Sequence, residues 1–204
     1  MRFFIIWVLC FFTPILSAQS TIEQNIVTVI DENNEAALAL LEKIVNINSG
    51  TDNVQGIYQV GEILIPEFEA LGFSSEWKNL PEDMNRAGTL FFARKGNQGK
   101  KLLLIAHLDT VFPKSSPFQT FSRKGNFAFG PGVSDDKGGI ILLLYALKAL
   151  HSQGLLDNTT MTIALVGDEE NSGKPTSISR KSLIEAAKGM DVTLDFEPNI
   201  EANT

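Results

Sequence analysis

Residues 102–110 are Leu-Leu-Leu-Ile-Ala-His-Leu-Asp-Thr, an apolar run followed by two side chains that could bind a metal or transfer a proton. The apolar run predicts a strand buried in a sheet. His107 and Asp109 follow it, and side chains two positions apart on a strand share one face. Asp109 can therefore accept a hydrogen bond from one ring nitrogen of His107, which leaves the other nitrogen for a metal. Alone, the pattern fits a solvated strand end equally well.

Helical and extended patterns alternate on both sides of this strand. We expect three helices, at residues 33–47, 53–71 and 140–150, and further strands at residues 90–93, 161–166 and 192–196. Pro66 is expected to kink or break the second helix. Strand 90–93 is expected to form a hairpin with strand 102–106 or to lie beside it. Long apolar strands alternating with helices predict an α/β domain whose sheet is covered by helices on both faces.

The first 18 residues have the pattern of a signal peptide. A positive start at Arg2 precedes an apolar run over residues 3–12, and Leu16-Ser17-Ala18 fits a cleavage site. The run is shorter than the roughly 20 residues that span a bilayer, so no membrane association is expected after cleavage. We expect a secreted or periplasmic protein. A buried N-terminal helix is the alternative interpretation.

Composition limits the partners and the metal ligands. Seventeen basic residues against 24 acidic ones give a net charge of −7, and no basic cluster stands out, so no nucleic-acid partner is expected. The single cysteine, Cys10, lies inside the apolar run of the signal peptide. Any metal in the mature chain must therefore be held by histidine and carboxylates.

Residues 130–139, Gly-Pro-Gly-Val-Ser-Asp-Asp-Lys-Gly-Gly, stand directly before the apolar helix. The glycines predict a tight turn and close backbone packing where the helix begins. Asp135 and Asp136 would be stabilised by the helix dipole, so simple capping is one interpretation. Capping needs only one carboxylate. The second one, with glycines on both sides, favours a bound cation.

Two more acidic segments follow apolar strands. Residues 167–173 are Gly-Asp-Glu-Glu-Asn-Ser-Gly, and their three consecutive acids repel one another unless solvent or a cation neutralises them. One of Glu169 and Glu170 can bind a metal while its neighbour addresses the attacking water. A solvated acidic loop is the alternative. Glu197 ends the last strand and alone indicates little. Together, one histidine and several carboxylates near strand ends predict a hydrolytic site for zinc or a similar divalent ion.

The order His-Leu-Asp-Thr-Val, Gly-Pro-Gly-Val-Ser-Asp-Asp-Lys-Gly-Gly, Asp-Glu-Glu and Phe-Glu-Pro resembles the family of carboxypeptidase G. That family also contains acetylornithine deacetylase, succinyl-diaminopimelate desuccinylase and aminoacylase. The resemblance implies a zinc-peptidase-like catalytic domain with two zinc ions, or Co²⁺ or Mn²⁺ in their place. The ligands that it implies are His107, Asp135, Glu170 and Glu197. Asp135 would bridge the two ions, with His107 and Glu197 on the first ion and Glu170 on the second. Glu169 would be the general base, and Asp109 would orient His107.

The family's other zinc histidine lies near the C-terminus, after a lid domain that dimerises and contacts substrate. We expect residues 19–204 to be the N-terminal part of the catalytic domain, C-terminally incomplete, without the lid. A homodimer is expected only if the lid domain is present. His151 ends the apolar helix and is expected to be a surface residue.

The leading hypothesis is a zinc-dependent amidohydrolase in which a metal-bound hydroxide attacks the amide carbonyl of a small peptide or N-acyl amino acid. Glu197 favours, through the resemblance, carboxypeptidases and deacylases over aminopeptidases. We expect release of a C-terminal amino acid such as glutamate. An N-acyl amino acid deacylase with the same site is the first alternative. A truncated, non-catalytic remnant that binds at most one metal is the second, and the chain alone is expected to be inactive.

Overall fold

The structure is a computed structural model and describes residues 20–198; the expected signal peptide at residues 1–18 lies outside this range. The helices are α1 (Thr21–Val45), α2 (Val54–Glu69), α3 (Lys137–Ser152), α4 (Thr176–Ser179) and α5 (Lys181–Ala187), with a 3₁₀ turn at Glu82–Met84. The strands are β1 (Ser74–Lys78), β2 (Thr89–Arg94), β3 (Gln98–His107), β4 (Ser122–Lys124), β5 (Phe127–Phe129), β6 (Thr159–Val166) and β7 (Val192–Asp195). None of the helices in this part of the chain is long and apolar enough to cross a membrane.

A five-stranded mixed sheet, in the order β1-β2-β6-β3-β7, forms the centre of the fold. Strand β3 runs parallel to β6 and to β7, whereas β2 is antiparallel to β6 and to β1. The carboxyl ends of β3, β6 and β7 therefore meet at one edge of the sheet. Strands β4 and β5 form a separate antiparallel pair.

The expected pairing of strand 90–93 with strand 102–106 is wrong, because β6 lies between β2 and β3. Ile163, Ala164 and Leu165 of β6 are all fully buried, so β6 is apolar on both faces and is suited to a central position. The short connection from β2 to β3 passes over the start of β6. Gly96 makes this crossing feasible, since a Cβ there would collide with the backbone of Asn158.

The sheet separates two apolar clusters of unequal size. The larger one joins α1, α2 and α3 to one face and includes Ile44, Phe68, Phe92 and Leu144, each fully buried. The smaller one contains Phe91, Leu103 and Ala164, against which Leu183, Ala186 and Met190 pack from the α5 side. The α/β class is confirmed, with the larger part of the core on the α1–α3 face.

Three elements, α1, α2 and β1, differ from the expectations. Helix α1 begins at Thr21 rather than at residue 33, because Ser20 and Glu23 form a capping box in which the Glu23 N–H donates to Ser20 Oγ at 3.2 Å. Pro66 does not end α2, which continues to Glu69 with Leu64 and Phe68 fully buried. Strand β1 has no apolar alternation and was not expected. It is defined by its pairing with β2.

Lys137, the first residue of α3, connects α3 to the end of α1 by hydrogen bonds. Its side chain is fully buried. Nζ donates to the carbonyl oxygens of Ile44 at 2.9 Å and Ile47 at 2.8 Å, at the end of α1. The start of α3, which carries the two aspartates, is thereby anchored to the end of α1.

Candidate metal centre

His107 is the last residue of β3 and lies between the ends of β6 and β7. Its side chain is only 1% exposed. Nδ1 lies 3.1 Å from the Asp109 carbonyl oxygen and 3.4 Å from Asp109 Oδ1, so both neighbours of this nitrogen are acceptors. Nε2 faces the other way, 2.8 Å from Asp135 Oδ1 and 3.6 Å from Glu197 Oε1. This arrangement keeps the proton on Nδ1 and presents Nε2 to the carboxylates.

Asp109 holds three separate segments together. Its fully buried carboxylate accepts hydrogen bonds from Thr51 Oγ1 at 2.7 Å, from the Glu169 N–H at 3.0 Å and from the Glu170 N–H at 3.1 Å. The nearest acceptor for His107 is the Asp109 carbonyl oxygen rather than the carboxylate that we expected. Thr51 belongs to no recognisable motif and precedes Asp109 by 58 positions, so nothing in the sequence pointed to it.

Asp135 and Asp136 occupy different environments at the start of α3. The Asp135 side chain is half exposed, whereas Asp136 is fully buried. Asp136 occupies the N-cap position without making a side-chain capping bond; its Oδ2 instead accepts the His107 N–H at 3.0 Å. Its Oδ1 is buried and has no hydrogen-bond partner within the described part of the chain. Helix capping therefore does not account for this pair.

The three acidic residues of the loop after β6 differ in how exposed they are to solvent. Asp168 is 1% exposed and forms an ion pair with Arg180 at 2.6 Å, so it faces away from solvent. Glu169 is exposed and Glu170 is half-buried. Glu169 lines a small cavity of about 160 Å³ together with His107 and Glu197. A uniformly solvated acidic loop does not describe this segment.

The predicted ligands converge at the sheet edge. Among residues 20–198, two groups of side chains have ligand atoms within 4.8 Å of one another and could hold a metal ion. The groups are His107–Asp135–Glu170 and His107–Asp136–Glu197. His107, Asp135, Glu170 and Glu197 are thus brought together, and Asp136 joins them although we had given it no ligand role. The resemblance implied that Asp135 bridges the two ions and so lies with both Glu170 and Glu197. The structure groups Asp135 with Glu170, whereas Asp136 takes the place beside Glu197. The individual roles stay predictions.

The charges in this cluster perturb one another. Burial lowers the pKa of His107, but the hydrogen bond and charge of Asp109, with the charges of Asp136 and Glu197, outweigh it and raise that pKa to about 10. Burial, with the neighbouring negative charges, raises the pKa of Glu170 and of Asp136 to about 7. Burial and the Asp135 charge raise the pKa of Glu197. Carboxylates this crowded, with an orphaned oxygen on Asp136, fit a site for a divalent cation.

An open cleft of about 590 Å³ reaches the cluster from the side of Glu170. Thr51, Asn53, Thr110, Lys114 and Asn171 are among its lining residues. The predicted metal ligand Glu170 therefore borders a space large enough for a small substrate. His151 lies far along α3 in its last turn and is exposed.

A mixed sheet in an α/β fold, with one histidine and several carboxylates at the ends of its strands, is typical of metal-dependent hydrolases. Residues 103–203 match the model of Peptidase family M20/M25/M40. The family resemblance predicted from the motifs is confirmed, and this part of the chain is a peptidase M20 domain.

Named relatives agree with this assignment. The chain is 39% identical to carboxypeptidase G2 of Pseudomonas sp. (strain RS-16) over 80% of its own length and 39% of that protein. It is 31% identical to succinyl-diaminopimelate desuccinylase of Buchnera aphidicola subsp. Cinara cedri over 80% of this chain and 43% of that one. The fold matches human carnosine dipeptidase 1 with a TM-score of 0.70 at 16% identity, over 84% of this chain and 40% of that one. The chain spans about two fifths of the length of the curated relatives that it matches.

Proposed function

We propose that the protein containing this chain is a zinc-dependent amidohydrolase that releases a C-terminal amino acid such as glutamate. The convergence of His107, Asp135, Glu170 and Glu197 at one sheet edge, as two potential metal-binding groups, carries this proposal. The carboxypeptidase assignment is supported by the 39% identity to carboxypeptidase G2. Small peptides and N-acyl amino acids are the proposed substrates.

The chemistry divides between a bound metal and the protein's own side chains. Zinc ions in such a site polarise the amide carbonyl and lower the pKa of water. His107, with Nδ1 directed at Asp109, would present Nε2 as a ligand to one ion, and the carboxylates around it would supply the other ligands that this chain offers. Glu169 would take a proton from the attacking water and deliver it to the departing amine. Its exposure and its position on the wall of the small cavity leave it free to do so.

A deacylase with the same site is the second candidate. The 31% identity to a succinyl-diaminopimelate desuccinylase favours it, because the bond broken is again an amide. Both candidates use the same residues and differ in which side of that amide is recognised.

A substrate panel tests the proposal. The gene product containing this chain, loaded with zinc, is incubated with dipeptides ending in glutamate, leucine or lysine and with N-succinyl amino acids. We expect release of glutamate to be fastest, to stop on chelation and to return with added zinc. Faster release of succinate would favour the deacylase. Absence of zinc-dependent hydrolysis for every substrate would favour the non-catalytic metal-binding remnant.

We also propose export of the protein with cleavage after Ala18. The basic start, the apolar run and the small residues before that position support it. Such a cut would leave Ser20 in place to cap α1. N-terminal sequencing of the protein recovered outside the cytoplasm should begin at Gln19, and an intact Met1 on mature protein would contradict the proposal.

A further inference from the structure

Arg180 donates three hydrogen bonds to two residues of the acidic loop, Asp168 and Ser172. It lies between α4 and α5, with its side chain 21% exposed. Nη1 donates to Asp168 Oδ1 at 2.6 Å, and Nη2 donates to the Asp168 carbonyl oxygen at 3.0 Å and to Ser172 Oγ at 2.5 Å. The guanidinium group therefore binds both ends of the loop that contains Glu169 and Glu170.

Two further bonds close the same loop. Asp168 Oδ2 accepts the Gly173 N–H at 2.8 Å, and Ser179 Oγ donates to the Gly173 carbonyl oxygen at 2.8 Å. Asp168 and Ser179 are 1% and 2% exposed, so these bonds are shielded from water. Ser179 of α4 and Arg180, which follows α4, thus fix the loop of residues 168–173.

The other side of the loop is held by Asp109. The N–H groups of Glu169 and Glu170 donate to its two carboxylate oxygens, and Asp109 is itself next to His107. The directions of Glu169 and Glu170 thus depend on two supports, Asp109 and the Arg180–Asp168 pair. Arg180 also borders the small cavity that His107 and Glu169 line. A buried ion pair is weak evidence for a role in stability alone, because desolvation offsets most of its attraction.

We propose that Arg180 is a positioning residue for Glu169 and Glu170, acting through its hydrogen bonds to Asp168 and Ser172. This inference rests on the proposed function, in which Glu170 is a metal ligand and Glu169 the general base. Arginine suits this task because its planar fork can bind a carboxylate, a carbonyl and a hydroxyl at once, whereas lysine presents a single ammonium group. Hydrogen bonds made directly to metal ligands typically change metal affinity by about 10–100-fold when they are removed. Arg180 acts one residue further from the ligands, so the lower end of this range is expected.

Cobalt binding tests the inference without requiring catalysis. The 204-residue chain and its variants Arg180→Met, Arg180→Lys and Asp168→Asn are titrated with Co²⁺, and the visible absorption spectrum reports the geometry of the ligands. We expect Arg180→Met and Asp168→Asn to lower about tenfold the affinity for the Co²⁺ ion that Glu170 binds, whether it is the first or the second ion taken up, and to alter its spectrum. Arg180→Lys should lower the Co²⁺ affinity less, because it keeps the positive charge but loses the planar guanidinium group that donates several hydrogen bonds at once.

Arg94→Met is the matched control. Arg94 is also partly buried and donates from Nη1 to the Leu71 carbonyl oxygen at 2.9 Å, but it lies in β2 and contacts none of the candidate ligands. Its variant should keep the wild-type affinity and spectrum even if it is less stable. Circular dichroism identifies folded variants, and if Arg180→Met does not fold, the conservative Arg180→Lys decides.

The outcomes separate the inference from the function on which it rests. A folded wild-type chain that binds no cobalt would overturn the proposed metal centre and this role together. Wild-type binding with unchanged affinity and spectrum in the folded Arg180 and Asp168 variants would overturn the positioning role alone.

Discussion

At the residue scale, the pKa of His107 is strongly perturbed. Its pKa is raised to about 10 in the metal-free chain, mainly because Asp109, Asp136 and Glu197 outweigh the effect of burial. The ordinary value is 6.5, so between about pH 6.5 and about pH 10 the folded chain holds a proton that the unfolded chain does not. The resulting stabilisation is fully present below about pH 6.5 and is lost as the pH rises through about 10. A metal at Nε2 must displace this proton.

Metal binding should therefore release protons. At pH 7.5 we expect at least about one proton per ion, because the protonated His107 must become neutral to act as a ligand. Glu170 and Asp136, whose pKa values are about 7, add a smaller share. Titration calorimetry in buffers with different ionisation enthalpies measures this release. Between pH 6.5 and 8.5 the affinity for zinc should rise by at least about tenfold per pH unit, which is the slope for one displaced proton. An affinity independent of pH between 6.5 and 8.5 would contradict this description of the site.

Glu169 and Glu170 should respond differently to the same substitution. Glu169→Gln should lower turnover of the zinc-loaded enzyme by about 10²–10⁴ while its metal content stays close to wild type, because an amide cannot act as a base. Glu170→Gln should lose metal as well as activity. Metal analysis by mass spectrometry beside a rate assay measures both properties. Loss of zinc from Glu169→Gln but not from Glu170→Gln would mean that the two roles are reversed.

At the scale of the elements, Lys137 connects α1 to the segment that carries Asp135 and Asp136. Its Nζ donates to the carbonyl oxygens of Ile44 and Ile47 from a fully buried position. Ile44 also accepts the Ile47 N–H at 3.3 Å, so the Ile47 carbonyl depends more strongly on the lysine. The position of the aspartates thus depends on the contact between two helices that are far apart in sequence.

Lys137→Met should lower the free energy of unfolding by about 1–3 kcal/mol, because it leaves the partly buried Ile47 carbonyl without a donor. Urea denaturation measures the change. Lys148→Met is a suitable control, since Lys148 Nζ pairs with Glu67 at 2.6 Å on a partly exposed surface. Lys148→Met should lower the free energy of unfolding by less than about 1 kcal/mol. Equal losses in the two variants would show that the buried bonds of Lys137 contribute no more than a surface ion pair.

At the scale of the whole molecule, the two candidate metal groups share one histidine. His107 belongs to both, and within the described range the remaining members are carboxylates. A single imidazole nitrogen cannot complete two separate ligand sets. The sheet brings the strand ends together, but it supplies nitrogen for only one of the two ions.

We therefore expect the 204-residue chain, purified alone, to bind one zinc ion per chain firmly and a second only weakly. It should show no substantial amide hydrolysis with added zinc. Equilibrium dialysis with metal analysis gives the stoichiometry, and an amino acid release assay gives the activity. Two firmly bound ions, or rapid zinc-dependent release of glutamate by this chain, would contradict the expectation.

The motifs were sufficient to predict the α/β class, the metallopeptidase family and the residues that converge. His107 ends β3 and Glu170 lies in the loop after β6, and the carboxyl ends of parallel strands meet at one edge wherever those strands lie in the sheet. The same local information could not give the strand order. Strand β6 separates β2 from β3 because burial on both faces favours the centre of the sheet, and that depends on every strand together.

Contacts between distant segments were decided only by the tertiary structure. Thr51 reaches Asp109 across 58 positions, and Arg180 reaches Asp168 from the end of α4. Asp135 and Asp136 are adjacent and chemically identical, yet packing exposes one and buries the other against the His107 backbone. A sequence records which donors and acceptors exist and how they are spaced along the chain. Their partners are selected by burial, because a polar group removed from water must be paired by whatever group the fold brings within reach.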